Sequence, residues 1–319
     1  MSDFDLIVLG GGPAGYIAAI RAAQLGAKVA LIEKEALGGT CLNRGCIPTK
    51  ALVACINLYE KLQAAENFGI SAANFSLDFK KVIERKDKIV QKLVKGIEFL
   101  LRKNNVEVIS AVGKVLDPKK IEVKSSDETR ILNSKKIILA TGSFPIQLPG
   151  VEFDQKKFFC SDDLLEYHSL PEKLNIVGGG VIGIHFATIY SSLGCEVTIY
   201  EALAEILPGV DQEIAAILKR VLLRKRIKII TNYHFDPTQT SDKTLICIGR
   251  APNLSGIENL NLKMKGRSIW VNEKMETSIP GVFAAGDLVS DKMFAHVAYE
   301  QGVIAAENAL GNNRTFNYE

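Results

Sequence analysis

Residues 4–33 read FDLIVLGGGPAGYIAAIRAAQLGAKVALIE, and residues 174–201 read LNIVGGGVIGIHFATIYSSLGCEVTIYE. Both run in the same order: a short apolar strand, a glycine-rich turn, a segment of helical apolar period, a Leu-Gly stop, and a second apolar strand ending in glutamate. Eighteen residues separate Gly15 from Glu33, and eighteen separate Gly183 from Glu201. Each copy reads as one βαβ unit. This predicts an α/β chain of two Rossmann-like domains on parallel sheets. A length of 319 residues suits two domains.

The glycines limit what the turns can hold. Gly10, Gly12 and Gly15 form a G-x-G-x-x-G, as do Gly178, Gly180 and Gly183. The first glycine permits the tight turn, the second lets a pyrophosphate approach the backbone, and the third lets helix and strand pack closely. The following helix points its N-terminal N–H groups at the phosphates. Glu33 and Glu201 stand where a carboxylate accepts hydrogen bonds from an adenosine ribose. No arginine closely follows Glu201, which favours NAD over NADP. The alternative for either motif is a packing turn with no ligand.

Between the copies, residues 47–104 read as mainly helical. Lys80 to Lys103 places Val82, Ile83, Ile89, Val90, Leu93, Ile97, Leu100 and Leu101 near a 3.6-residue period. Residues 106–139 alternate, with turn signals at Asp117-Pro118 and Ser125–Glu128. They read as a small antiparallel meander leading into a core strand at Lys136–Ala140. Beyond the second copy come a helix over Asp211–Arg224 and strands at Ile227–Thr231 and Thr244–Ile248. A short strand at Trp270–Val271, one at Pro280–Asp287 and a helix over Phe294–Leu310 follow. The expected domains are 1–147 with a return segment 275–319, and 148–274 between them.

A net charge of +3 is nearly balanced and implies no nucleic-acid or membrane partner. The lysine-rich runs Lys80–Lys88 and Lys119–Lys124 read as solvated surface. The N-terminus lacks the features of a signal peptide, and no apolar run approaches the ~18 residues of a bilayer span. The expected location is the cytoplasm. Of the six cysteines, Cys55, Cys160, Cys195 and Cys247 read as small buried hydrophobes. Cys41 and Cys46 open a helix just after the first βαβ unit, where a thiolate is favoured. No second cysteine or histidine pair stands near to complete a metal site, so none is expected.

The stretch Gly38-Gly39-Thr40-Cys41-Leu42-Asn43-Arg44-Gly45-Cys46-Ile47-Pro48-Thr49-Lys50 resembles the redox-disulfide motif of the pyridine nucleotide–disulfide oxidoreductases, and within them the dihydrolipoamide dehydrogenase branch. Ala140-Thr141-Gly142-Ser143, Ile248 to Asn253, Ala284-Ala285-Gly286-Asp287 and Phe294 to Ala298 resemble further motifs of that family. The resemblance covers essentially the whole chain. It implies two cofactors, FAD and NAD, and a lipoyl-type dithiol or disulfide substrate. The implied FAD contacts are Gly10, Gly12, Pro13, Ala14, Gly15, Glu33, Lys34, Gly39, Thr40, Lys50, Gly113, Ala140, Thr141, Gly142, Gly286, Asp287, Ala295 and His296. The implied NAD contacts are Gly178, Gly180, Val181, Ile182, Gly183, Glu201, Gly249 and Arg250. Cys46 would be the thiolate beside the flavin, Cys41 the thiol exchanging with substrate, and Lys50 the cation near flavin N5.

Three departures stand out. The family continues into a dimerisation domain bearing a histidine–glutamate base, and this sequence stops at Glu319. An impaired enzyme and a monomer, or an association unlike the family's, are expected from that. The family's glutamate partner of the flavin lysine is here His185, which is expected to act in the site without balancing Lys50 as a carboxylate does. The meander between the last two strands of the NAD domain is shortened to Asn232–Lys243. The alternative function is an FAD-binding, diaphorase-like or non-catalytic scaffold without disulfide turnover.

Overall fold

The computed structural model describes residues 3–72, 74–126, 128–290 and 292–317, so Asp127 of the expected turn lies outside the described residues. The chain begins with β1 (Phe4–Leu9), α1 (Pro13–Gln24), β2 (Val29–Glu33), α2 (Gly39–Arg44), α3 (Cys46–Gln63) and α4 (Phe79–Lys103). Strands β3 (Glu107–Ser110), β4 (Val112–Asp117), β5 (Lys120–Lys124), β6 (Thr129–Leu139) and β7 (Ser143–Pro145) follow. Next come β8 (Phe158–Phe159), α5 (Ser161–Leu165), β9 (Lys173–Val177), α6 (Val181–Ser192), β10 (Glu196–Tyr200), α7 (Gln212–Arg224), β11 (Lys228–Ile230) and β12 (Lys243–Ile246). The last elements are β13 (Arg250–Pro252), β14 (Met264–Lys265), β15 (Ser268–Ile269), β16 (Val282–Ala284) and α8 (Ala295–Ala309). Trp270 lies just past β15, with its N–H on the Lys263 carbonyl, so the strand expected at Trp270–Val271 falls two residues earlier.

The chain gathers into two compact units. One comprises Met1–Asn43, Gln91–Phe144 and Ala251–Glu319; the other comprises Arg44–Val90 and Pro145–Arg250. The expected boundary after 147 falls after Phe144, and the expected spans divide the chain differently at two longer stretches. Residues 44–90 cluster with the second unit because Leu52, Ile56 and Ile83 join the core of Ile184, Phe186, Ile189 and Leu245. Residues 251–274 cluster with the first because Ile257, Leu260 and Ile269 join Ile7, Ile32, Ile137 and Val282.

In the first unit the strand order is β3-β2-β1-β6-β5-β4, with β16 also against β6. Strands β3, β2, β1, β6 and β16 run parallel. Strand β6 plays two parts. Thr129–Asn133 pair antiparallel with β5, and Lys136–Leu139 pair parallel with β1. The meander is thus β4-β5-β6, and Glu107–Ser110 joins the parallel sheet beside β2 instead. The apolar runs of β1 and β2 are buried throughout their centres, as strands covered on both faces require. Helices α1 and α8 pack through small residues: Ala14, Ala18 and Ala22 on one, Ala298, Gly302 and Ala305 on the other. A Cβ on Gly302 would stand 2.3 Å from the Ala14 carbonyl oxygen, so only glycine permits this approach. Arg21 on α1 pairs with Glu307 on α8 at 2.6 Å.

In the second unit all strands are parallel, in the order β11-β10-β9-β12-β8. The Asn232–Lys243 link supplies an aromatic cover, because the Tyr200 ring lies 5.2 Å from both the Tyr233 and Phe235 rings. Phe235 joins Val151, Val177 and Ile246 in a small core.

Two expectations from the helical stretch fail. Leu93 and Leu100 are exposed, so the apolar stripe of α4 is not uniformly covered. Lys86, read as solvated, is 1% exposed. Its ammonium donates to the Leu165 carbonyl and the Glu166 carboxylate, each at 2.9 Å, and lies 2.8 Å from Asp87. A buried cation is tolerated when its donors are satisfied in this way. Among the described residues, no helix is long and apolar enough to cross a membrane.

Candidate functional site

In the first unit the chain leaves β1 at Gly10, whose φ of +104° suits glycine. A Cβ there would stand 2.2 Å from the Ala140 carbonyl oxygen, and one on Gly15 would stand 1.8 Å from the Gly10 oxygen. Gly12 is different. It caps α1 without a side-chain hydrogen bond, Pro13 and Ala14 follow it, and no acid occupies the first turn. A Cβ on Gly12 would meet only the Gly39 Cα, 3.7 Å away. The first N–H groups of α1 therefore face a space edged by glycine backbone, suited to an anion.

Glu33 braces this turn. Its carboxylate accepts from the Gly11 N–H at 2.7 Å and the Glu35 N–H at 2.8 Å. Lys34 lies alongside, 3.4 Å from the Glu35 carboxylate. Beside Glu33 opens a cavity of about 620 Å³ bordered by Leu37, Val94, Val106 and Ser110. Gly39 and Thr40 begin α2. Ala140 follows β6; the Thr141 hydroxyl donates to the Asn253 carbonyl at 2.5 Å, and the Asn253 N–H donates to Gly142 at 2.8 Å. The Ser143 hydroxyl donates to the Asp287 carboxylate at 2.5 Å, while the Gly286 N–H donates to the Gln301 side chain at 2.8 Å. Ala295 begins α8, and the His296 ring stacks on Phe294. Gly113 lies on β4. A Cβ there would strike Leu9 at 2.4 Å, so its place is in the packing of β4. Ser143, Asn253 and Gln301 are absent from the sequence-derived site. Ser143 and Asn253 end motifs already singled out, whereas Gln301 carries no sequence signal.

The second unit repeats the turn. Gly178 has φ +112°, and a Cβ there would lie 2.5 Å from the Cys247 carbonyl oxygen. One on Gly183 would lie 2.1 Å from the Gly178 oxygen, whereas one on Gly180 would meet nothing within 4 Å. Val181 and Ile182 open α6, and Val181 is exposed. Glu201 accepts from the Gly179 N–H at 2.7 Å and the Leu203 N–H at 2.8 Å. Gly249 has φ +125°, and Arg250 faces Asp162 at 4.0 Å. Arg44, lying between the two cysteines in sequence, faces the same Asp162 at 3.8 Å. Burial raises the Asp162 carboxyl above its ordinary range, against the pull of Arg250 and Arg44. Sequence reading missed Asp162.

The cysteines occupy successive helices. Cys41 is on α2, half-buried, and exposed Cys46 is the first residue of α3. Asn43 ties α2 down, its amide donating to the Leu37 and Gly39 carbonyls at 3.0 and 3.1 Å. Lys50 stands one turn beyond Cys46 on α3. Its Nζ lies 3.5 Å from His185 Nε2, and His185 Nδ1 lies 2.7 Å from the Val181 carbonyl oxygen. Burial pushes Cys160, Cys195 and Cys247 each up to about 12, so these thiols stay protonated and unreactive. Among the described residues, no group of three or more His, Cys, Asp or Glu could hold a metal ion.

Residues 4–302 match the pyridine nucleotide-disulphide oxidoreductase family. The dihydrolipoyl dehydrogenase of Bacillus subtilis (strain 168) is 39% identical over 98% of this chain and 73% of its own length. That of Acholeplasma laidlawii is 38% identical over 97% of this chain and 96% of its own. The crystal structure of LpdA from Mycobacterium tuberculosis superposes with a TM-score of 0.90 at 27% identity, covering 98% of this chain and 74% of that one.

Proposed function

Because the chain belongs to the pyridine nucleotide-disulphide oxidoreductase family, we propose that it is a dihydrolipoyl dehydrogenase-type enzyme, exchanging electrons between NAD(H) and a lipoyl-type dithiol or disulfide through FAD and the Cys41–Cys46 pair. The observation that carries this reading is the twinned turn. Two glycine loops of one geometry, each opening a helix with no acid in its first turn, flank a cysteine pair along one chain.

The residues present fit both nucleotides. Gly12 and Gly180 leave open the space that a side chain would fill, and the cavity beside Glu33 is of a size that takes part of a cofactor. In the first unit Gly10 to Gly15 would hold a pyrophosphate on the α1 N-terminus, Glu33 a ribose, and Asp287, steadied by Ser143, a polyol chain. In the second unit Gly178 to Gly183 would hold NAD, with Glu201 selecting a free 2′-hydroxyl. When bound, FAD supplies the two-electron relay between nicotinamide and disulfide. The protein's own part is thiol exchange. The Cys41–Cys46 bond takes up two electrons and two protons to give two thiols. The Cys41 thiolate then attacks a substrate disulfide, releasing one substrate thiolate and forming a mixed disulfide. The Cys46 thiolate displaces the second substrate sulfur from Cys41 and re-forms the original bond. We place this chemistry in the cytoplasm, where thiols are kept reduced.

Anaerobic NADH followed by rapid alkylation and peptide mapping tests the reading. Cys41 and Cys46 should label only after NADH is added. A bond that persists while the protein still oxidises NADH with dyes would remove disulfide turnover and favour the diaphorase-like alternative.

A further inference from the structure

We propose that His185, protonated on Nδ1, is a positioning residue for Lys50: a neutral acceptor that fixes the ammonium one helical turn from Cys46 and leaves its charge uncancelled. The tautomer follows from the partners. The Val181 carbonyl, 2.7 Å from Nδ1, can only accept, so Nδ1 carries the proton. Nε2 then keeps its lone pair. An ammonium can only donate, and Lys50 Nζ stands 3.5 Å from Nε2, within reach of that lone pair. Cys46 and Lys50 are four residues apart on α3, which places their Cβ atoms about 5–6 Å apart on one face.

Charge separates this arrangement from a lysine–carboxylate pair. A carboxylate at position 185 would bring the pair to zero, whereas a neutral imidazole leaves it at one positive charge. An uncancelled cation beside a thiol favours the thiolate, typically by about 1–3 pKa units. The imidazole is kept neutral by its surroundings. Burial pushes His185 below its ordinary value and Lys50 pushes the same way, against the Val181 hydrogen bond. Of the other charged groups on the packed elements, Arg85 of α4 donates to the Ala51 carbonyl and Glu196 of β10 pairs with Lys228. Glu60 of α3 is taken up by Ser192 and Lys225, and Glu201 beyond β10 by the Gly179 and Leu203 N–H groups.

This inference rests on the disulfide-exchange reading for the task of Cys46, but not for the tautomer. Two measurements on the FAD-loaded protein test it. Nitrogen-15 NMR of the imidazoles, with His185 assigned by its loss in His185→Gln, should show protonated Nδ1, bare Nε2 and a midpoint below 6.5. A protonated Nε2, or an imidazolium at pH 7, overturns the proposal. The second measurement is the pH profile of iodoacetamide labelling at Cys46 in reduced Cys41→Ser protein. His185→Gln, a neutral acceptor, should leave the profile in place, and His185→Glu should slow labelling at pH 7 about tenfold. An unchanged His185→Glu profile, or an equal slowing in both variants, overturns it. Failure of disulfide turnover itself would appear separately, as Cys41 and Cys46 remaining joined after NADH in the unmodified protein.

Discussion

In the first unit the carbonyl that crowds the glycine turn belongs to Ala140, and in the second it belongs to Cys247. Both residues leave a parallel strand in the same way. The Ala140 N–H donates to Leu9 at 2.8 Å, and the Cys247 N–H donates to Val177 at 2.9 Å. Three residues further on stand Ser143 and Arg250, and each faces an aspartate. Asp287 lies three residues past β16 and Asp162 three past β8, strands that hold equivalent places against β6 and β12. The backbone device is therefore shared down to the aspartate, and the side chain facing it differs. Among the described residues a hydroxyl alone holds Asp287, at 2.5 Å, whereas Asp162 takes the Ser161 hydroxyl at 3.2 Å and, in addition, two guanidinium groups at 3.8 and 4.0 Å. Loop geometry sets where a nucleotide can lie, and the residue beyond the loop sets the local charge it meets.

The strongest way to break this comparison is to fill the third glycine. In Gly15→Ala or Gly183→Ala the new methyl meets backbone oxygen at 1.8 or 2.1 Å, which no rotamer relieves. Each should cost about 3 kcal/mol of stability, at the upper end for overpacking. Gly15→Ala should purify without bound FAD, whereas Gly183→Ala should keep FAD and lose NADH affinity. Flavin content and NADH binding measured on both variants check this. Loss of both cofactors in both variants would show that the loops do not act as separate sites.

A smaller effect is expected at the carboxylates that brace the turns. Glu33→Ala and Glu201→Ala each strip the acceptor from two backbone N–H groups. Hydrogen bonds to charged groups are worth about 1.5–3 kcal/mol, so each variant should lose stability on that scale in thermal unfolding. Glu201→Ala should also weaken NADH binding about tenfold, the equivalent of about 1.4 kcal/mol. A variant that binds NADH as tightly as the parent would leave Glu201 a structural brace only.

Much of this architecture was legible from residues 4–33 and 174–201, because glycine spacing and apolar period act locally. The βαβ units and the two loops follow from short-range rules, whereas the one helix expected to open at Cys41 and Cys46 is two, broken at Gly45. The aspartate equivalence does not follow from such rules either. Strand β16 closes its unit and β8 opens its own, so the sequence separates partners that the sheets make equivalent. Lys86 illustrates a second limit. Its neighbours Arg85, Asp87 and Lys88 suggest solvent, and two of the three partners that satisfy its buried ammonium, the Leu165 carbonyl and Glu166, lie about eighty residues away. The apolar stripe of α4 likewise states that Ile83 is covered, but not by which unit.

The smallest effect, and the one that most sharpens the comparison, is expected at Asp162. Its folded-state pKa is raised, chiefly by burial, so the protonated form is favoured by folding. The sign follows from proton linkage. Between the ordinary value of 3.8 and the raised value, the folded chain binds more protons than the unfolded one, so stability falls as pH rises through that window. Above it, ionised Asp162 is a standing cost that Arg250 and Arg44 offset only in part. Asp162→Asn should therefore leave stability at pH 7 unchanged or raise it by less than about 1 kcal/mol, although two ion pairs are lost. The gain should vanish as pH falls below the window, where Asp162 itself is neutral. Asp287→Asn should move the other way, losing about 1 kcal/mol with the charge-assisted bond from Ser143. Thermal unfolding of both variants from pH 4 to 8 reads the difference. Equal destabilisation by both would mean that the two aspartates do the same work, and that Arg250 and Arg44 more than offset the burial of the Asp162 charge.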